Sequence, residues 1–273
     1  MSGTTASVMT SGSIGAWTRP RTLAWVGLTL AAGVLADLPF SRLQIIPHHL
    51  DFNPGVFVAP LSGVCFGPAG AIGSAAAVVL GDRLQAQLGW LSVFHATGAF
   101  LFALSARRLW RFAAHRDREP AESWMHTLNF VLASWLACCV SAAWQGFGSE
   151  ALRLYPFAYT ATLALLQGII FCTVLGAPAY RLMARWWVPR YGVWGDRGED
   201  SGDVPQLRSV ALVALGGAGA LLTGLFISQA VHHVKPFSQP FVVGMRTGIL
   251  VPVAVLPFLL AGMAGLIQRK RTR

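Results

Sequence analysis

Charge is scarce in this chain of 273 residues: only 12% are Asp, Glu, Lys or Arg, about half the ~25% of an ordinary soluble domain. That deficit excludes water as the main environment of its surface. Cysteine is scarce as well. Cys65, Cys138, Cys139 and Cys172 are the only four, all inside apolar segments and without the spacing of a zinc site or the loop placement of a disulfide framework. They are expected to pack as small buried hydrophobes. Catalytic signatures are missing too: there is no P-loop, no GxSxG, no HExxH and no dense array of acids within the apolar segments. The chain is therefore not expected to be an enzyme or to carry a cofactor, and any ATP it used would be hydrolysed by another chain.

What is present is apolar sequence. Hydrophobic residues make up 54% of the chain and the mean hydropathy is +0.54. Apolar runs recur at Thr22–Phe40, Gly89–Leu109, Leu128–Gly146, Tyr155–Leu175, Val210–Val231 and Val242–Ile267, each long enough to cross a hydrocarbon core of ~30 Å. Lipid forbids unpaired backbone polar groups, so the fold class is all-α: a polytopic integral membrane helix bundle. Residues 1–20 are rich in Ser, Thr and Gly without apolar periodicity and read as a disordered tail. Arg19 and Arg21 before an apolar run, with Val34-Leu35-Ala36 further on, imitate a signal peptide. The first helix is expected to be retained.

If Gly67-Pro68 is a turn between two crossings, about eight transmembrane helices result, with Gly55–Phe66 and Ala69–Ala86 as the second and third. Residues 21–190 then form a six-helix membrane core, 191–206 a polar, glycine-rich cytoplasmic linker, and 207–273 two additional helices with a basic tail. Sixteen of the 21 Lys and Arg residues fall on one side, including five in the loop Arg107–Arg118. Positive loops stay inside, which places both termini in the cytoplasm of a bacterial inner membrane. A single broken crossing from Gly55 to Asp82 would give seven helices at nearly the same charge balance. Trp17, Trp110, Trp124, Trp186, Trp187 and Trp194 flank the segments on the cytoplasmic side, as interface-anchoring rings do. The net charge of +10 is explained by these loops, so no nucleic-acid partner is expected; the lipid bilayer is the partner.

Residues 65–82, CFGPAGAIGSAAAVVLGD, contain side chains too small to fill space. Gly70, Gly73, Ser74, Ala77 and Gly81 are spaced to share one helical face, while Ile72, Ala75, Val78 and Val79 form another. A face this smooth lets a neighbouring helix approach closely, and dispersion then drives association in lipid. Gly67-Pro68 supplies the break, because proline disfavours helix in the residue before it and suits a first helical turn.

Upstream of this helix stand Leu50-Asp51-Phe52 and Pro54, then a short helix, Gly67-Pro68-Ala69-Gly70 and finally Gly81-Asp82. This order resembles the substrate-binding S components of energy-coupling factor (ECF) vitamin transporters, particularly the riboflavin type. The resemblance spans roughly residues 22–186, with a specific part of about 45 residues. It implies a six-helix bundle that captures a vitamin or similar small solute under the loop after the first helix. It also implies a coupling membrane subunit and ATPases on separate chains. The family's alanine motif on the first helix is represented only by Ala32–Ala36 and Gly27–Ala31, and the two C-terminal helices have no counterpart.

The candidate substrate-binding residues are Asp51, Asp82, His95, Trp144, Gln145, Glu150, Tyr155 and Tyr159, which an eight-helix path gathers at the outer surface. Polar groups within membrane reach are costly and so point to function, while rings at a cavity mouth could stack on a flat heterocycle. Trp144, Tyr155 and Tyr159 equally suit an aromatic belt, and His95 equally suits a hydrogen bond between helices. His48, His49, His232 and His233 are weak metal candidates without a supporting spacing, so no metal site is expected. The alternatives to a solute-capturing component are a non-transporting membrane sensor or assembly subunit, and a metal-ion permease.

Overall fold

The computed structural model describes residues 20–40, 44–46, 50–51, 53–85, 87–114, 123–187, 207–232 and 249–267, with the backbone alone at 21, 44–46, 50–51, 187 and 232. These residues are almost wholly helical. Helices α1 (Pro20–Asp37), α2 (Val58–Phe66), α3 (Pro68–Leu84), α4 (Trp90–Ala114) and α5 (Trp124–Ala151) come first. Then α6 (Phe157–Phe171) runs through a π-helical segment, Cys172–Gly176, into α7 (Ala177–Leu182) and a second π segment, Met183–Trp187. Helices α8 (Leu207–His232) and α9 (Leu250–Ile267) close the bundle. Among the described residues, five stretches are long and apolar enough to cross a membrane: Thr22–Phe40, Trp124–Ala151, Phe157–Trp186, Leu207–Val231 and Leu250–Ile267. The protein is thus a multi-pass membrane protein by length and composition. Outside the helices, Gln44–Ile46 pairs antiparallel with Leu50–Asp51, a short ribbon that hydropathy did not foretell.

The chain reverses at Gly67. Its φ of 64° and ψ of −136° place it where only glycine is at ease, and Pro68 opens α3 at a position that needs no N–H donor. Ser62 and Ser74, on either side of the turn, meet hydroxyl to hydroxyl at 2.9 Å, with the Gly70 carbonyl within hydrogen-bond reach of both, so that one hydroxyl donates to the other and the other to the carbonyl. Residues 55–82 therefore form a helical hairpin. A short 3-10 turn, Pro54–Phe57, precedes α2 and replaces the first turn of the helix expected there. Helix α2 is buried over most of its length, so its nine residues need not meet lipid.

The small face of α3 lies against α1 and α2. A Cβ on Gly70 would strike the backbone of Ser62; one on Gly73 would sit 2.7 Å from Thr29 Cβ. A Cβ on Gly33 would sit 2.7 Å from that of Ala77. Gly81 differs: a Cβ there meets nothing within 4 Å. Ile72 and Val79, on the other face, are exposed as their spacing implied. Trp25 stacks on Phe66 at 4.6 Å, which fixes the start of α1 beside the Gly67 turn.

Two expectations need correction. The stretch Arg107–Arg118 is not a loop throughout, because α4 continues to Ala114. Arginine is a good helix former, and here its side chains find internal partners. Arg108 Nη1 donates to the Leu266 carbonyl at 2.8 Å and Nε to Ser209 Oγ at 3.3 Å, while Arg107 lies over Gly67. Nor is Trp110 an interfacial ring: it is buried, edge-on to Tyr180 at 6.3 Å and 6.4 Å from His126. The same packing extends α6 and α7 beyond the expected end at Leu175, since Tyr180 stacks on Phe130 at 4.8 Å.

The C-terminal pair joins the core. Gly217 abuts Val140, Gly224 abuts Phe157, and Val213, Ala220, Leu221, Val251, Val255 and Leu259 are buried with residues of α5 and α6. Gly216 and Gly262 let α8 and α9 touch backbone to backbone, with a Cβ on Gly216 only 2.6 Å from the Gly262 nitrogen. The thiols of Cys65, Cys138 and Cys172 are buried and unbridged, and Cys139 is half-buried, as expected of packing residues.

Candidate functional site

The hairpin brings the end of α3 to the same end of the bundle as the end of α1 and the start of α4. Asp37 and His95 each come within electrostatic reach of Asp82 there, with the exposed Arg83 following Asp82 in the last turn of α3. Asp37, the last residue of α1, accepts the Gly55 N–H at 2.6 Å. It thereby caps the 3-10 turn from a distant helix, since Asn53 at the turn's own N-cap makes no side-chain bond. A Cβ on Gly55 would overlap the Asp37 carboxylate, so a larger residue there would displace the cap. Asp82 lies within electrostatic reach of Asp37, as a like charge, and of His95, as an opposite one. Asp82 and His95 are half-buried, and among the described residues neither makes a side-chain hydrogen bond.

Asp37 was not among the expected site residues. The signal was present, however: like Asp82, it is an acid that ends a long apolar run, in Leu35-Ala36-Asp37-Leu38. The backbone of Asp51 lies in the ribbon, opposite Gln44; its side chain lies outside the described residues. So do His48, His49 and His233 and the side chain of His232. Among the described residues, no three His, Cys, Asp or Glu side chains gather as a metal set.

The remaining candidates sort into two further sets. Trp144 belongs to the seam between α4 and α5. Its indole N–H donates to Thr97 Oγ1 at 2.6 Å, and its ring contacts Phe94 at 5.6 Å and Phe147 at 5.8 Å. Gln145 is half-buried in the same seam, donating to Ser141 Oγ at 3.1 Å and covering Gly98. Phe94 and Thr97 flank His95 in sequence, so this seam continues from the acidic group.

Glu150, Tyr155 and Tyr159 form the corner between α5 and α6. Glu150 is 1% exposed and its carboxylate accepts the Phe157 N–H at 2.5 Å, in the first turn of α6. An anion at that position satisfies an orphan donor and complements the helix dipole. Arg153 at φ 58° tightens the same turn. Tyr155 and Tyr159 are half-buried, their rings 5.9 Å apart. The structure thus gathers Asp82 and His95 with Asp37, places Trp144 and Gln145 beside them, and turns Glu150 inward to hold a helix.

The turn and packing residues Gly67, Pro68, Gly70, Gly73 and Ala77 all build the hairpin that makes this convergence. Gly81 stands apart from those contacts. The chain matches no family model, no curated protein and no solved structure.

Proposed function

We propose that this protein is the substrate-capturing membrane component for uptake of a vitamin or similar small solute, resembling an ECF S component, in a bacterial inner membrane. The observation that carries this reading is the reversal at Gly67, which sends Asp82 back to stand with Asp37 and His95 at one end of the bundle. Ionisable groups at that depth are expensive and call for a use. In this reading the acidic end faces outward, both termini are cytoplasmic and eight helices make up the transmembrane bundle. The charge asymmetry supports it: Arg107, Arg108, Arg111, Arg181, Arg185 and Arg208 all lie at the Gly67 end. The solute enters at the acidic end, with Asp82 and His95 as its polar contacts and the Trp144–Gln145 seam beside them. The energy comes from a coupling subunit and ATPases on separate chains, because this chain has no nucleotide-binding motif.

Purified protein should bind one of a panel of flavins, thiamine and cobalamin precursors at micromolar concentration or below, and Asp82→Asn should weaken that binding at least tenfold. No ligand at that level would overturn the reading. Labelling of a cysteine at Gln44 from outside the cell checks the orientation; labelling only from the cytoplasm contradicts it.

A non-transporting assembly or sensor subunit is the second reading. It is favoured by Trp144 and Glu150, two of the candidate contacts, which are engaged by neighbours within the chain. Stable co-purification with a larger enzyme complex, and no ATPase partner, would decide for it.

A further inference from the structure

The Gly67 end carries a pair of cations that the bundle does not use. Arg181, on α7, and Arg185, in the following π segment, are both exposed. They are four residues apart, so they rise from one face with Cβ atoms about 6 Å from each other. Like charges at that spacing repel and destabilise a helix unless an anion lies between them. Among the described residues, neither arginine has a carboxylate partner. Of the described acids, Asp37, Asp82 and Glu150 all stand at the opposite end. Arg107 and Arg108, by contrast, are spent on the Gly67 turn and on α8 and α9.

The surroundings of the pair say what kind of anion fits. The Arg185 guanidinium lies 6.0 Å from the centre of the Trp186 ring, and Trp186 is 53% exposed. Helix α5 runs alongside, joined to α6 and α7 by the Trp135 N–H bond to Thr173 Oγ1 and by the Phe130–Tyr180 stack. It presents Trp124, 66% exposed, at the same level. Away from the arginines Leu128 and Leu132 of α5 are exposed, along a stretch long and apolar enough to cross a membrane. An occupant must be anionic at one end and hydrocarbon at the other. A free phosphate satisfies only the first demand, and an acidic protein segment does not fit the second.

We propose that the face formed by α5 and α7 at the basic end binds an anionic phospholipid. Its headgroup phosphate sits between Arg181 and Arg185, Trp124 and Trp186 flank the glycerol level, and an acyl chain lies along Leu128 and Leu132. Tryptophan at the interface and basic residues just beyond it are the groups that recognise such a lipid. The inference does not depend on which solute, if any, the acidic end takes.

The test uses the full chain, purified in detergent, delipidated and mixed with phosphatidylglycerol or with phosphatidylcholine of the same acyl chains. Retained lipid is counted by native mass spectrometry, and the midpoint of thermal unfolding is followed in parallel. The wild type should retain phosphatidylglycerol in preference and gain thermal stability from it. The double variant Arg181→Gln/Arg185→Gln should lose about twenty-fivefold of that preference, about fivefold for each arginine. Arg181→Lys/Arg185→Lys should keep most of it, and Arg83→Gln at the other end should keep all of it. Equal retention of the two lipids by the wild type would overturn the proposal. So would an unchanged preference in the double glutamine variant, or displacement of the lipid by millimolar inorganic phosphate. Should the glutamine variant fail to fold, Arg181→Glu alone, read in the same assay, must abolish the preference.

Discussion

At the Gly67 end, the inward-facing polar side chains are spent on holding the chain together, while Arg181 and Arg185 stand out from it. Arg108 grips α8 and α9, Arg107 covers the turn, and Trp110, His126 and Tyr180 pack as one buried group. At the Asp82 end, Asp37 caps a turn, but Asp82 and His95 are tied only by charge. Both ends contain ionisable groups within reach of lipid, where each is costly. Arg108 at one end, and Asp37 and Glu150 at the other, recover that cost in fold stability. Asp82 and His95 do not, and this difference singles them out as functional candidates better than their residue types do.

The contrast can be broken most directly at the hairpin that connects the two ends. Gly70→Val pushes a side chain into the Ser62 backbone and should cost about 3 kcal/mol, the upper range for overpacking. Loss of monodisperse protein in detergent would register it, and an unchanged unfolding midpoint would mean the hairpin is not tightly closed. Arg108→Ala removes a charged hydrogen bond to Leu266 and one to Ser209, for about 2 kcal/mol; thermal unfolding in detergent measures it. Asp37→Ala should cost about 1 kcal/mol, the ordinary loss of a helix cap, and Asp37→Asn less, because an acceptor remains for Gly55. The Ser62–Ser74 contact is worth less again. A double-mutant cycle to alanine should return a coupling near 0.6 kcal/mol, typical of hydrogen bonds between helices in lipid.

The smallest effect on stability is expected at Asp82. Asp82→Asn should shift unfolding by no more than about 0.5 kcal/mol while weakening solute capture at least tenfold. A large loss of stability there would place Asp82 with the structural groups and erase the distinction between the ends.

Much of the hairpin was legible in the sequence. A Gly-Pro pair has few uses within apolar sequence, and small residues at steps of three and four declare a packed face before any partner is known. The partner was not legible: Thr29 and Gly33 lie on another helix, and nothing local marks them as the residues that Gly73 and Ala77 meet. Arg107 and Arg108 misled because a charged pair ends a hydropathy run whether or not the helix ends, and the carbonyl that Arg108 satisfies lies 158 residues away. Trp110 misled for a related reason. An indole beside arginines reads as an interface anchor, and only the fold shows Tyr180 and His126 enclosing it. Glu150 reads from the sequence as a substrate contact, whereas its carboxylate holds the Phe157 N–H, which the tight turn at Arg153 returns to it.

The grip of Arg108 also bears on how the protein is made. Ser209 lies 101 residues downstream and Leu266 a further stretch beyond, so the guanidinium leaves the ribosome long before either acceptor exists. During that interval it needs water or a lipid phosphate in their place. The last turn of α9 thus supplies an acceptor that Arg108 lacks until Leu266 has been made.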